Sequence, residues 1–336
     1  MARQRSSAFY FSVTVLLGAC QAVTAQTLIY DGIIANRAGK YDGMPTHLFS
    51  GGVHRLWWCS QGNVGEEIWY ATKAGTIGIG GWSAPVKVFG TAQSPWTVRG
   101  TCDPSVLKGA FSYAGKSFSY AMFYSSSRVA GGVGSNGAIG VAYSKDGTIW
   151  QAYPNPIIVP STGSTTGYGA GMSGVAYKPG TTVIEHVYLD STLNPILRLS
   201  EGTGGVSFSP LPGTATQLDY AGRNADGQGP DIAYNPVNQH WYAVIKNTDH
   251  NGIYDGETRI LKAETPNSLL GAWQVLYVIN SSTTGWPQNN NPGLAKNSDS
   301  TLYVDSSGWA YVFFTVGSER PNTGDWALAQ ARFWPL

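Results

Sequence analysis

Three aspartates, Asp42, Asp103 and Asp231, each stand close to a proline that opens a short apolar run. Carboxyl groups held apart at strand mouths can divide the work of general acid and general base, one giving a proton to a leaving group while another takes one from water. Around them lie Trp96, Arg99, Tyr168, Arg223, Gln228 and Trp286. Aromatic rings beside neutral amides and a few charges suit a sugar, whose C–H faces stack on rings and whose hydroxyls need both donors and acceptors. Each residue also has a structural reading. Trp96 and Trp286 could pack between sheets, and Asp103 could cap a turn.

The elements that must position these groups repeat. At intervals of about sixty residues the chain steps into an apolar strand through Pro, Gly or Ser: Met44-Pro45, Asp103-Pro104, Met172-Ser173, Gly229-Pro230 and Asn291-Pro292. An aromatic-rich strand follows each, at 54–59, 117–124, 183–189, 240–245 and 309–314, and three of the units continue into a third strand, 68–71, 139–144 and 259–263. A unit of three or four strands cannot cover both of its faces alone, and a closed ring of copies does so without long free edges. The repeat predicts an all-β, five-bladed β-propeller over 28–336, a single domain. In such a ring the loops before the inner strands and those between second and third strands share one face. That face also collects Glu66, Tyr220, Asp226, His250, Asp255, Asn289, Glu319 and Arg320.

The amino terminus carries Arg3 and Arg5 followed by an apolar run from Ala8 to Ala19, too short to span a bilayer, so 1–25 is expected to be an export signal. Ala22-Val23-Thr24-Ala25 offers a signal peptidase site, giving a secreted or periplasmic protein. Leu17-Gly18-Ala19-Cys20 offers instead a lipobox, with Cys20 as a lipid anchor. Either leaves Cys59 and Cys102 as the remaining thiols, expected to pair across neighbouring blades, with two buried free thiols as the rival reading. Removing Arg3 and Arg5 from the 21 basic residues leaves 19 against 20 acids, and no Lys/Arg cluster appears. Nucleic acid and anionic membranes are therefore poor partners. The five His show no metal-ligand spacing, no phosphate loop or nucleophile elbow is present, and neither a cofactor nor a metal is expected. A monomer is expected.

Asp103-Pro104-Ser105-Val106, the strand Ser117 to Tyr124 and the segment Ile139 to Trp150, with its Ser-x-Asp-Gly-x-x-Trp turn, resemble a blade of the five-bladed glycosidases. These are glycoside hydrolase family 43, the arabinanases and β-xylosidases, and their invertase-like relatives. The resemblance implies an Asp base on blade one, an Asp on blade two that tunes and orients the acid, and a Glu acid on blade three. Asp103 matches the second of these, and Asp42 is the nearest residue to the first. Blade three reads Ala170-Gly171-Met172-Ser173-Gly174 and carries no acid. An echo of the acid motif stands on blade four as Gln228-Gly229-Pro230, with an amide for the carboxyl, so Asp231 is the expected substitute, and Glu66, Glu67 and Asp226 are further stand-ins. The expectation is a glycoside hydrolase acting on polysaccharide or oligosaccharide, with Asp42 activating water, Asp103 tuning and Asp231 donating the proton. The alternative is a propeller that binds glycan and cleaves nothing; a sialidase is a third reading, on the Asp-box likeness of the turn.

Overall fold

The computed structural model of the chain describes residues 27–37, 39–62, 65–127, 137–160, 169–190, 196–204, 207–210, 219–220, 228–248, 254–318 and 326–335. The expected signal with Cys20, and Tyr168, Arg223, Asp226, His250, Glu319 and Arg320, lie outside them. Among the described residues no helix is long and apolar enough to cross a membrane.

The strands run in chain order as β1 (Leu28–Ala35), then β2 (Asp42–Ser50), β3 (Val53–Gln61), β4 (Glu66–Ala74) and β5 (Val86–Phe89) of blade one. Blade two holds β6 (Arg99–Tyr113), β7 (Lys116–Ser127), β8 (Gly137–Ser144) and β9 (Trp150–Ala152). Blade three holds β10 (Ala170–Tyr177), β11 (Ile184–Asp190), β12 (Ile196–Thr203) and β13 (Ser207–Pro210). After the short β14 (Asp219–Tyr220), blade four holds β15 (Gln228–Asn235), β16 (His240–Thr248), β17 (Tyr254–Ala263) and β18 (Ala272–Ile279). Blade five is built from β19 (Gln288–Asn297), β20 (Ala310–Gly317) and β21 (Trp326–Phe333), and β1 pairs antiparallel with β21 as its outermost strand. The inner strands of blades five and one also pair, in parallel, from Ala295 opposite His47 to Asn297 opposite Phe49.

Five apolar cores lie between the blades and close the ring. Trp57, Ile68 and Phe89 of blade one meet Val106, Met122 and Tyr124 of blade two. Leu107, Phe123 and Val141 meet Val175 and Tyr188 of blade three. Val187 and Leu189 meet Ile232, Trp241 and Ile245 of blade four. Val244, Ile260 and Ile279 meet Leu294, Val312 and Phe314 of blade five. Phe313, Tyr311 and Leu328 meet Leu56 and Trp58 of blade one. Successive residues of β3 thus serve two cores, Leu56 and Trp58 on one side and Trp57 on the other, because consecutive strand side chains point to opposite faces. Both faces of each blade are covered, which is why these strands read as continuous apolar runs instead of alternating ones.

The steps into the inner strands share one backbone device. Met44, Asp103, Met172, Gly229 and Asn291 all have positive φ, between 49° and 59°. Each sits in a bulge that sets two residues against one of the partner strand: Gly43 to Thr46, Cys102 to Ser105, Gly171 to Gly174, Gln228 to Asp231 and Asn290 to Gly293. Four of the five are not glycine, and holding them in the left-handed region costs about 1 kcal/mol each. The bulges bring Met44, Asp103, Met172 and Gly229 to the lining of one narrow cavity.

At three of the five bulges the residue that ends the bulge latches one blade to the next. Thr46 Oγ1 accepts from Val106 N at 3.3 Å, Ser105 Oγ from Val175 N at 3.1 Å and Asp231 Oδ2 from Leu294 N at 2.9 Å. At the two remaining positions there is no room for a side chain: a Cβ on Gly174 would meet Pro230 O at 2.6 Å, and one on Gly293 would meet Pro45 O at 1.9 Å.

The turn at 144–150 serves blade geometry, as its sequence suggests. Asp146 Oδ1 accepts from Thr148 N and Ile149 N, Ser144 Oγ accepts from Gly147 N, and Trp57 Nε1 of blade one donates to Gly147 O at 2.8 Å.

Cys59 and Cys102 form a disulfide, with Cα atoms 4.8 Å apart and a separation of 43 positions in sequence. It staples β3 to β6 across the seam of blades one and two. By loop-closure reasoning its loss costs about 2–4 kcal/mol. Paired Cys59→Ser and Cys102→Ser replacement is therefore expected to lower the thermal midpoint by several degrees, and a reductant added to the unchanged protein should reproduce the drop.

His47 and His54 are core residues and do not reach the channel. Lys296 N donates to His47 Nδ1, so the His47 proton lies on Nε2 and is donated to His54 Nδ1 at 3.0 Å; the proton on His54 Nε2 then goes to Gly75 O at 3.0 Å. The relay works only with both rings neutral. Burial, with the neighbouring His54 and Lys296, holds His47 well below its usual range, and burial holds His54 down at about 4 and His186 at about 3. The unfolded chain, with histidines near 6.5, binds more protons than the fold at any pH between these values. The histidine contribution to stability is thus full above about pH 6.5 and is lost as pH falls toward 4. Urea midpoints measured at pH 7 and pH 4.5 are expected to show this loss, and His54→Gln should flatten it.

Candidate functional site at the channel mouth

The left-handed residues Met44, Asp103, Met172 and Gly229, with the prolines that follow three of them, line a narrow axial channel. At its mouth on blades one and two, Glu66 begins β4 and Asp103 sits in the β6 bulge. Backbone approach fixes Glu66: a Cβ on Gly100 of β6 would come within 3.0 Å of Glu66 N, and Gly100 has φ of +62°, so glycine serves there twice. A Glu66 carboxylate oxygen lies within 4.8 Å of both disulfide sulfurs. Buried against them, and facing the negative charge of Asp103, the Glu66 carboxyl has its pKa raised to about 7. It is a carboxylic acid that still holds a proton near neutral pH. Glu67, one residue on, turns the other way, to Lys87 Nζ at 3.1 Å.

Two further groups complete the mouth. Lys246, on β16 opposite Gln228, has its pKa lowered to about 8 by burial, against the pull of Asp103, which stabilises the ammonium from across the ring. Tyr41 accepts at its hydroxyl from Asn291 Nδ2 at 2.7 Å; burial and the charges of Glu66, Asp103 and Asp42 push its pKa well up, so it stays a neutral phenol.

Asp42 is fully buried. Its carboxylate accepts from Trp58 Nε1 at 2.8 Å, from Arg37 N at 3.2 Å and from Arg37 Nε at 3.1 Å, and Arg37 NH2 lies 2.9 Å away. Arg37 in turn lies over the Trp69 ring at 3.8 Å and donates to Ser60 Oγ. This carboxylate shapes the rim of blade one.

Asp231 also lines the channel, directly after Pro230, but its carboxylate is engaged. As well as latching Leu294 N it receives Lys296 Nζ at 2.8 Å, and the same ammonium, fully buried, donates to Val175 O at 3.0 Å. One lysine of blade five thereby ties together the inner strands of blades three and four. Every Asp231 contact described is with the scaffold, which is the physical reason to look elsewhere for a proton donor.

Of the expected stacking residues, Trp96 lies parallel to Tyr124 at 5.7 Å in the core between blades one and two. Trp286 packs with Leu28, Tyr30 and Ile33 against the core between blades four and five. Both take the packing role. Arg99 pairs with Ser127 and Gln228 with Lys246 through the backbone, at the mouth end of their strands; their side chains are outside the description. Sequence reasoning placed Asp103 and Glu66 on this face but missed Tyr41, Lys246 and Asn291. Asn291 could have been found, since it holds the bulge position that Asp103 holds on blade two.

No family model and no curated protein matches this sequence. Solved structures do. The catalytic domain of the Coprinopsis cinerea GH62 α-L-arabinofuranosidase matches with a TM-score of 0.63 at 12% identity, over 92% of this chain and 97% of that one. A thermostable family-43 glycoside hydrolase matches with a TM-score of 0.59 at 14% identity, over 87% and 89%. Zg3597, a family 117 glycoside hydrolase from the marine bacterium Zobellia galactanivorans, matches with a TM-score of 0.58 at 13% identity, over 92% and 90%. The chain therefore has the all-β fold of the five-bladed propeller glycoside hydrolases, the resemblance that the Asp103 blade carries in its sequence.

Proposed function

We propose that the protein is an exported glycoside hydrolase that cleaves a polysaccharide or oligosaccharide at the channel mouth, with Glu66 as general acid in place of Asp231. The observation that carries this reading is the Glu66 carboxyl, protonated near neutral pH beside the charge of Asp103, on a fold shared with glycosidases. Two carboxyl groups whose environments separate their protonation states are what glycosidic cleavage requires. In the proposed reaction Glu66 gives its proton to the leaving oxygen as the bond to the anomeric carbon breaks. Water adds to that carbon and its proton passes to Asp103. Lys246 faces the charge of Asp103 across the ring and, with Tyr41 and Asn291, binds sugar hydroxyls. Asp42 holds Arg37 and Trp58 in place. Arg99 and Gln228 remain proposed sugar-binding residues, as do Tyr168 and Arg223 on the loops that lead into blades three and four.

The test is product release from arabinan, xylan and fructan oligosaccharides by the protein and by its Glu66→Gln and Asp103→Asn forms. Cleavage lost in both variants supports the reading. Cleavage that survives Glu66→Gln refutes the acid assignment, and binding without cleavage in all three forms would make the protein a glycan-binding propeller.

A further inference from the structure

The face opposite the mouth carries a second cleft, of about 780 Å³, within the range of about 300–1,000 Å³ typical of ligand pockets. It arises from one irregularity in the ring. The inner strand of blade two runs for 15 residues, against 8 to 10 in the other blades, so the β6–β7 hairpin overshoots its neighbours and forms a wall. The hairpin of blade three and the turn after β19 in blade five supply the other sides. Across the floor lies Tyr177. A Cβ on Gly109 would meet its hydroxyl at 2.2 Å, so the tyrosine crosses β6 where β6 has no side chain. Burial pushes the Tyr177 phenol up to about 12, so it is a neutral donor and acceptor beside an aromatic face. Phe111 extends the apolar floor, and Ser119 and Thr182 put hydroxyls on the rim. Lys108 donates to Ser50 Oγ, and Asp299 accepts from Thr301 N at 3.1 Å, so the charges along the cleft are of both signs and already engaged.

We propose that this cleft is a second, non-catalytic binding site for a neutral glycan segment. A ring that a sugar face can stack on, a phenol that can give or accept, and a rim of hydroxyls without a cluster of like charges are the chemistry that recognises an uncharged polyhydroxyl chain. The inference rests on the proposed carbohydrate function and deepens it. A polysaccharide held on the far face would keep the protein on its polymer between encounters at the mouth, and the linked sites would gain avidity without further contacts.

The test is hydrogen exchange of the full chain carrying Glu66→Gln, with and without xylohexaose or arabinohexaose, together with Thr182→Trp to fill the cleft and Thr182→Ala as its control. Thr182 is exposed, so neither change disturbs the core. The expected result is slowed exchange at 108–111 and 177–184, lost in Thr182→Trp with at least a tenfold weaker affinity there, and kept in Thr182→Ala. Slowed exchange confined to 41–46 and 101–105 would overturn the second site and leave the proposed function standing. Slowed exchange at the cleft alone would support the second site and count against the function proposed for the mouth, and no slowing in either place would overturn both.

Discussion

Glu66→Gln is expected to reduce turnover of a glycan substrate by about 10²–10⁴-fold, the usual contribution of a positioned general acid. The amide keeps the shape of the side chain and removes its acidic proton. The same change is expected to stabilise the fold at neutral pH. A carboxyl whose folded pKa stands at about 7, against 4.5 in the unfolded chain, favours unfolding at every pH above the lower value, because the unfolded chain releases its proton more readily. The amide carries no such penalty. A thermal midpoint that rises while activity vanishes would separate a catalytic acid from a structural one. The pH profile gives a further readout. Activity that needs protonated Glu66 falls as pH rises through about 7, and in Asp103→Asn, which removes the charge that helps hold the proton on, the Glu66 carboxyl followed by its infrared band is expected to titrate at lower pH. A titration that stays in place would show that Asp103 does not act on Glu66.

Lys296→Met is expected to be the most damaging single change to stability. The ammonium is fully buried and bonded to Asp231 Oδ1 and Val175 O, and its loss leaves the Asp231 charge buried without its cation. Breaking a buried pair from one side typically costs about 3–5 kcal/mol. Adding Asp231→Asn removes the uncompensated charge and leaves an amide oxygen to accept from Leu294 N, so the double variant should recover part of the loss. Denaturant midpoints of the three forms check this. A double variant no better than Lys296→Met alone would mean that the lost bond to Val175 O, and not the stranded carboxylate, carries the cost.

The five inner strands were legible because each begins with the same local signal, a bulge marked by Pro, Gly or Ser, and because strands covered on both faces are apolar throughout. Trp57 and Trp58 in succession are a case in point. The closing strand β1 was not legible, since its partner β21 lies some three hundred residues on and nothing local to Leu28 announces it. At the site, Asp103 could be read from the step it occupies, whereas the engagement of Asp231 could not. Its position after Pro230 resembles an active carboxyl, but the bulge turns it to the blade seam, where Lys296, distant in sequence, claims it. Trp96 and Trp286 show the same limit: a large ring in a loop satisfies stacking on a sugar and packing on a neighbour equally well until the neighbour is known. Lys246 escaped notice because its importance comes from the charge it faces across the ring, on another blade.

Pairing the first described strand with the last also sets an order of assembly. Leu28 emerges from the ribosome well before Phe333, opposite which it settles, so the earliest of the described strands is the latest to find its place. Blades one to four can form from local hairpins as they appear, but blade five stays one strand short until both ends of the chain are present. Such long-range pairing belongs with slow folding, on the scale of milliseconds to seconds, and it makes the ring a late, all-or-none event in the life of the chain.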